Sequence, residues 1–200
     1  MNYLAHAYLS FNDPEILAGN MISDFVKGKK QFDFSEDILK GIRLHRSIDD
    51  FTDTHPSTKK AKTYLKPAAG LYAGAFVDVV YDHFLACDEN EFTNESLLSF
   101  SLSVYETLLK YKTIFPEKFA GMFPYMKTQN WLYNYRTNSG IDKSFTGLAH
   151  RAKYLNNSVF IFESFTNNYF ALRQCYYEFF PTVKNFAYEQ FNKLKAIRFY

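Results

Sequence analysis

The chain has little cysteine, little net charge and no long apolar run. Only Cys87 and Cys175 occur among 200 residues. Two cysteines make no disulfide framework, and these two show neither CxxC nor any other metal-ligand spacing. Both fall in apolar, helix-like sequence and read as buried free thiols of a reducing compartment. Formal net charge is +2, so no global electrostatic signature points to nucleic acid. No segment approaches the roughly 18 apolar residues of a membrane span. His6 and Asn12 interrupt the N-terminal stretch, which lacks a basic leader, so no signal peptide is expected and the chain reads as cytoplasmic. No period-two series marks a strand, and no repeat, linker or low-complexity segment divides the sequence. These absences leave an all-α helical bundle, one domain over residues 1–200.

Rings are abundant: 22 Phe and 16 Tyr bring the aromatic share to 20%. Bulky rings fill the space between helices with few residues, so most belong to the core. Phe162, Phe165, Tyr169, Leu172, Tyr176 and Phe179 recur at spacings of three and four, which is one face of a helix. Pro181 then kinks that helix or starts the last one. Asn12-Asp13-Pro14-Glu15 is a helix start, with a capping side chain, proline in the first turn and an acid near the positive end. Gly28 is a plausible stop. Ser35-Glu36-Asp37 opens a third helix that runs through the fifties, and His55-Pro56 breaks and restarts it. A long apolar stretch spans Leu71 to Leu85, and Asn94 to Lys112 is amphipathic. Pro116 and Pro124 punctuate shorter pieces, and Asn138-Ser139-Gly140 is a turn signal.

The informative residues are polar ones inside apolar helices. Residues four apart share a helix face. Asn2 and His6 form such a pair, as do Asn20 and Asp24. His45, Asp49 and Asp53 form a ladder, and Asp78 and Asp82 are followed directly by His83. Burying a carboxylate costs several kcal/mol, of the order of 3 or more, unless it is paired or holds a metal. Each residue has a plainer reading. His6 alone is more often a satisfied, half-buried histidine, and Asn20 could bridge helices. Asp49, Asp50 and Asp53 could be a solvated face beside Arg43 and Arg46. Several such helices in the N-terminal half nevertheless point to polar faces turned toward one centre. Imidazole with carboxylate suits a divalent transition metal such as Mn, Fe or Zn. Such an ion withdraws charge from a phosphoryl oxygen and makes hydroxide available near neutral pH. A His or a protonated carboxyl can protonate the leaving alkoxide. Arg46, Lys27, Arg136 or Arg151 could neutralise the non-bridging oxygens.

Taken in order, these residues resemble a known family. The matching segments are Met1-Asn2-Tyr3-Leu4-Ala5-His6, Gly19-Asn20, Asp24-Phe25-Val26-Lys27-Gly28, Gly41-Ile42, His45-Arg46, Ile48-Asp49, Thr52-Asp53, Asp78 and Asp82-His83-Phe84-Leu85. A weaker C-terminal echo comprises Trp131-Leu132, Tyr135-Arg136, Gly147 and Arg151. Together they resemble the acyl carrier protein phosphodiesterases, a divergent relative of the HD-domain phosphohydrolases. The resemblance implies an HD-like all-α fold and a divalent metal, Mn²⁺ by preference, with Mg²⁺, Fe²⁺ or Zn²⁺ as alternatives. It implies hydrolysis of the diester joining 4′-phosphopantetheine to a serine of holo-acyl carrier protein. The expected catalytic set is His6, Asp24, His45, Asp49, Asp82 and His83. The expected metal ligands are Asp24, His45, Asp78, Asp82 and His83. Asn20, Lys27, Arg46, Arg136 and Arg151 are the expected phosphate and substrate contacts.

Three basic clusters accompany this set: Lys27, Lys29 and Lys30; Lys59, Lys60, Lys62 and Lys66; and Lys193, Lys195 and Arg198. A solvated surface is the plain reading of each. The acidic carrier protein implied by the resemblance would be steered by the first cluster together with Arg43. Two other functions stay open: an HD-like phosphohydrolase acting on nucleotides or other small phosphoesters, and a non-catalytic helical module that holds an acidic partner.

Overall fold

A computed structural model describes residues 1–152, 155 and 158–196. Among the described residues there are eleven α-helices and no strand. They are α1 (Tyr3–Tyr8), α2 (Pro14–Ile22), α3 (Glu36–Thr54), α4 (Pro56–Ala69), α5 (Ala73–Ala86), α6 (Asn94–Leu109), α7 (Glu117–Thr128), α8 (Trp131–Asn134), α9 (Asn138–Arg151), α10 (Val159–Asn167) and α11 (Tyr169–Ala196). None is long and apolar enough to cross a membrane. Arg198, expected in the C-terminal basic cluster, lies outside the described residues.

Local signals place most boundaries. The Asp13 side chain accepts the amides of Glu15 and Ile16 at the start of α2, with Pro14 in the first turn. The α3–α4 junction falls at His55-Pro56, where the His55 ring accepts the Ser57 amide. Thr93 and Ser96 form a reciprocal capping box at the start of α6.

Four expectations need correction. Asn138-Ser139-Gly140 is the first turn of α9, because the Thr137 hydroxyl accepts the Gly140 amide and caps it. The ring series from Phe162 to Phe179 belongs to two helices, broken at Asn168, though Phe165, Leu172, Tyr176 and Phe179 are all buried. Cys87 is exposed just past the end of α5, and only Cys175 is buried. The last helix runs through Pro181 without ending there.

The rings do fill the core: Tyr81, Tyr105, Tyr176, Phe76, Phe119 and Phe145 are among its largest fully buried side chains. The contact that matters most for function is the crossing of α2 and α3. A Cβ on Gly19 would stand 2.1 Å from the Ile38 carbonyl oxygen, and one on Gly41 would stand 2.3 Å from that of Ile16. Only two glycines permit this approach of backbone to backbone, and it brings Asn20 of α2 against His45 of α3.

Candidate metal and phosphate centre

His6 reaches the centre from α1, and the anchor of that short helix is Asp82 of α5. Asp82 Oδ2 accepts the Leu4 amide at 2.7 Å, and Oδ1 accepts the amides of Asn2 and Ala5, each at 3.2 Å. These are the amides that a helix start leaves without partners. His45 and Asp49 lie one turn apart on α3 and face the same way. The His6 and His45 rings stack with centroids 3.9 Å apart and planes 16° from parallel. Both Nε2 atoms point at Asp49: His6 Nε2 is 3.1 Å from Oδ1 and His45 Nε2 is 3.1 Å from Oδ2. Asp24, in the turn after α2, places Oδ1 3.1 Å from His45 Nε2.

The backs of the rings are fixed as well. His45 Nδ1 lies 2.9 Å from the Asn20 carbonyl oxygen and 3.1 Å from its Oδ1. The Asn20 amide group donates to the His6 carbonyl and to the Ser10 hydroxyl, and Ser10 in turn donates to the His6 carbonyl. The Met1 ammonium donates to Asp78 Oδ1 at 3.1 Å and lies 3.4 Å from Asp49 Oδ1.

Charge is distributed unevenly over the pair of imidazoles. Burial, reinforced by the neighbouring His45, lowers His6 to a pKa of about 4. Burial also opposes charge on His45, but hydrogen bonds to Asp24 and Asp49 outweigh it and raise His45 to about 9. Burial alone would raise Asp49, yet the imidazoles and the ammonium hold it well below the usual carboxylate range. Asp24 is lowered by its hydrogen bond to His45, against some desolvation. Protonation is thus favoured on His45, between two carboxylates, and disfavoured on His6; a cation held by both Nε2 atoms would take the place of the His45 proton.

This donor set fits a divalent cation. One atom each from His6, His45 and Asp49 lies within 4.8 Å of the others. Separations of 3.1 Å between donors are those of neighbouring positions around an ion with bonds of about 2.1 Å. His6 Nδ1 is buried without a hydrogen-bond partner among the described residues. If Nδ1 carries the ring proton, Nε2 turns a lone pair toward Asp49, and a cation between them resolves that opposition.

The structure thus brings His6, Asp24, His45, Asp49 and Asn20 together, with Asp78 joined through the Met1 ammonium. Asp82 shares the field of the Met1 ammonium with Asp78 but makes no hydrogen bond to the imidazoles, and His83 faces elsewhere. Among the described residues, the hydrogen bonds of Asp82 all go to amides at the start of α1. The His83 ring is turned away, with Nδ1 2.7 Å from the Tyr135 carbonyl oxygen and Nε2 3.0 Å from the Tyr169 hydroxyl. Consecutive residues on a helix point about 100° apart, which is why His83 cannot follow Asp82 inward. Asp53, the last rung of the expected ladder, pairs with Lys62 at 2.7 Å.

Of the expected phosphate contacts, Lys27 is exposed beside Asp24 in one cavity. Arg46 is engaged by Gln31 Oε1 at 2.7 Å and the Val26 carbonyl at 3.1 Å, so it secures the segment carrying Asp24. Arg136 donates to the Tyr133 hydroxyl and lines a different cavity with Cys87. Arg151 lines a third cavity with Asn2 and Tyr3. Sequence reasoning missed Ser10 and the ammonium of Met1. Ser10 follows His6 by four residues, a spacing that could have revealed it.

A helical frame that gathers two imidazoles and two carboxylates around one point defines a class of candidate metal centres. The chain belongs to the acyl carrier protein phosphodiesterase family, whose family model matches residues 1–183. An acyl carrier protein phosphodiesterase of Yersinia enterocolitica is 30% identical over 191 residues, covering 95% of this chain and 99% of its own. Those of Photorhabdus laumondii and an Enterobacter species are also 30% identical, each over 90% of this chain and over 92% and 94% of their own lengths. No solved structure matches the chain.

Proposed function

We propose that this protein is a metal-assisted phosphodiesterase that cleaves the diester between 4′-phosphopantetheine and a serine of holo-acyl carrier protein. The products are apo-acyl carrier protein and 4′-phosphopantetheine. The observation that carries this reading is the meeting of His6, His45 and Asp49 within 4.8 Å in a chain whose relatives bear that name. The chain is read as one HD-like domain over residues 1–200, working in the cytoplasm on the carrier protein of fatty acid biosynthesis.

His6 Nε2, His45 Nε2 and Asp49 would hold the divalent ion, Mn²⁺ by preference, with Asp24 at its open side. When bound, the ion supplies Lewis acidity toward a phosphoryl oxygen and hydroxide near neutral pH. Asn20 fixes the His45 ring so that Nε2 faces inward. Asp82 fixes α1 and hence His6. Lys27, in the cavity that includes Asp24, and Arg151, in the cavity at the start of α1, supply positive charge for the non-bridging oxygens. Exposed Lys29 and Lys30 extend the basic rim beyond Lys27 and favour encounter with an acidic carrier protein.

Incubation with holo-acyl carrier protein and Mn²⁺, followed by mass spectrometry, tests the reading. The carrier should lose its phosphopantetheine mass, and chelator should prevent the loss. Turnover of a nucleotide panel without loss from the carrier would establish the broader phosphohydrolase instead. Capture of the carrier with neither turnover nor retained metal would establish a binding module.

A further inference from the structure

Two cavities border the segments that carry the centre, and they differ in size and lining. The first, of about 370 Å³, runs along one face of α9 at Lys143, Ser144, Gly147 and Arg151. Trp131 and Tyr135 also line it, as do Asn2 and Tyr3 at the start of the helix that carries His6. The second, of about 620 Å³, includes Asp24 itself with Lys27, Lys30 and Lys118. Tyr3 lines the first and feels Asp24 of the second. Burial and then the charge of Asp24 raise its hydroxyl above the usual phenol range, and Arg151 pulls the other way. The Tyr3 hydroxyl therefore lies within the fields of both the centre and the first cavity.

A phosphodiester has two arms. If the reading above holds, one is a flexible chain of secondary amides and the other is a whole protein. Both cavities, of about 370 and 620 Å³, have the size of a small-molecule site, about 300–1,000 Å³, so their linings and rims separate the two arms. The lining of the first suits an amide chain: Asn2 and Asn134 each commit one amide hydrogen, to the Tyr135 hydroxyl and the Gln129 carbonyl, and keep a second, while Ser144, which donates to the Gly140 carbonyl, can accept beside the rings of Trp131 and Tyr135. Arg151 is exposed and suits the phosphate end. The wider, lysine-rimmed cavity remains for the acidic protein arm.

We propose that the cavity between α8 and α9 seats the phosphopantetheine arm, with Arg151 contacting its phosphate and the small residues Ser144 and Gly147 giving it room along α9. The inference rests on the phosphodiesterase reading and adds the direction in which the diester lies.

Trp131 is the only tryptophan in the chain, so its emission reports on this cavity alone. Titration with 4′-phosphopantetheine should change that emission saturably, whereas O-phosphoserine, the stand-in for the protein arm, should not. A Cβ on Gly147 meets nothing within 4 Å among the described residues, so the helix backbone accepts a side chain there, and Gly147→Phe places a ring at the cavity lining. It should weaken 4′-phosphopantetheine binding at least tenfold at an unchanged melting temperature. Arg151→Ala, at an exposed position, is the independent variant; it should weaken 4′-phosphopantetheine tenfold and pantetheine less than twofold. Unmoved emission, an equal response to O-phosphoserine, or wild-type binding by both variants would overturn the assignment. Kinetics separate the two levels. If holo-acyl carrier protein is cleaved but Gly147→Phe keeps the wild-type KM, the seat is wrong and the function stands. If the wild type cleaves no holo-acyl carrier protein, the function itself fails.

Discussion

Gly41→Ala tests whether the crossing of α2 and α3 sets the geometry of the centre. The added Cβ would lie 2.3 Å from the Ile16 carbonyl oxygen and 2.9 Å from the Gly19 Cα. Ordinary contact needs about 3.4 Å, so the two helices must separate by about 1 Å. Overpacking of this kind costs about 1–3 kcal/mol. The same shift stretches the bond from His45 Nδ1 to the Asn20 carbonyl, now 2.9 Å, beyond hydrogen-bond range and removes about 1 kcal/mol more. The better helix propensity of alanine returns about 1 kcal/mol. A net loss of about 2 kcal/mol corresponds to a fall in melting temperature of roughly 4–8 °C for a domain of this size. Activity should fall further than stability, since a misplacement of about 1 Å can cost about a hundredfold in rate. Thermal unfolding of chelator-treated protein and turnover at a temperature where the variant is folded measure the two effects. Gly121→Ala is the control, because a Cβ there meets nothing within 4 Å, and it should be neutral or slightly stabilising. A Gly41→Ala protein melting within 1 °C of wild type, with unchanged turnover, would refute the reasoning.

Asp49→Asn removes the carboxylate that both imidazoles face, and retained metal and kcat should both fall at least a hundredfold; full metal content by elemental analysis would exclude Asp49 as a ligand. Charge reversal at Lys29 and Lys30 should raise KM for the carrier protein and flatten its dependence on ionic strength, and unchanged kinetics between low and high salt would remove this rim from the docking surface. Burial raises Asp82 to a pKa of about 7 from an ordinary 3.8, so its ionisation disfavours the folded state. The advantage of wild type over Asp82→Asn in melting temperature should therefore be largest at or below pH 4 and shrink as pH rises toward 7. A gap that widens with pH would show that the charge, and not the number of acceptors facing α1, is what the fold uses.

Much of this protein is determined by local chemistry that any short window displays. Asp13-Pro14 starts α2 and His55-Pro56 ends α3 because a capping oxygen and a residue without an amide hydrogen act on their immediate neighbours. The fourfold spacing of His45 and Asp49 is equally local, since one helical turn obliges them to share a face. So is the oddness of Asp82, a carboxylate among Val79, Val80, Tyr81 and Phe84. What Asp82 does was decided by tertiary structure: the amides it accepts belong to residues 2, 4 and 5, some eighty positions away, and no spacing rule reaches that far. The same holds for His83, which the neighbouring Asp82 made suspect and which the Tyr135 carbonyl and Tyr169 hydroxyl claim instead. The stacking of His6 on His45 depends on α1 being pinned by α5 and on α2 lying against α3 through two glycines. Sequence therefore identified the side chains able to hold a cation. The packing of four helices selected which of them face one another, because convergence is a property of distances between segments and not of order along the chain.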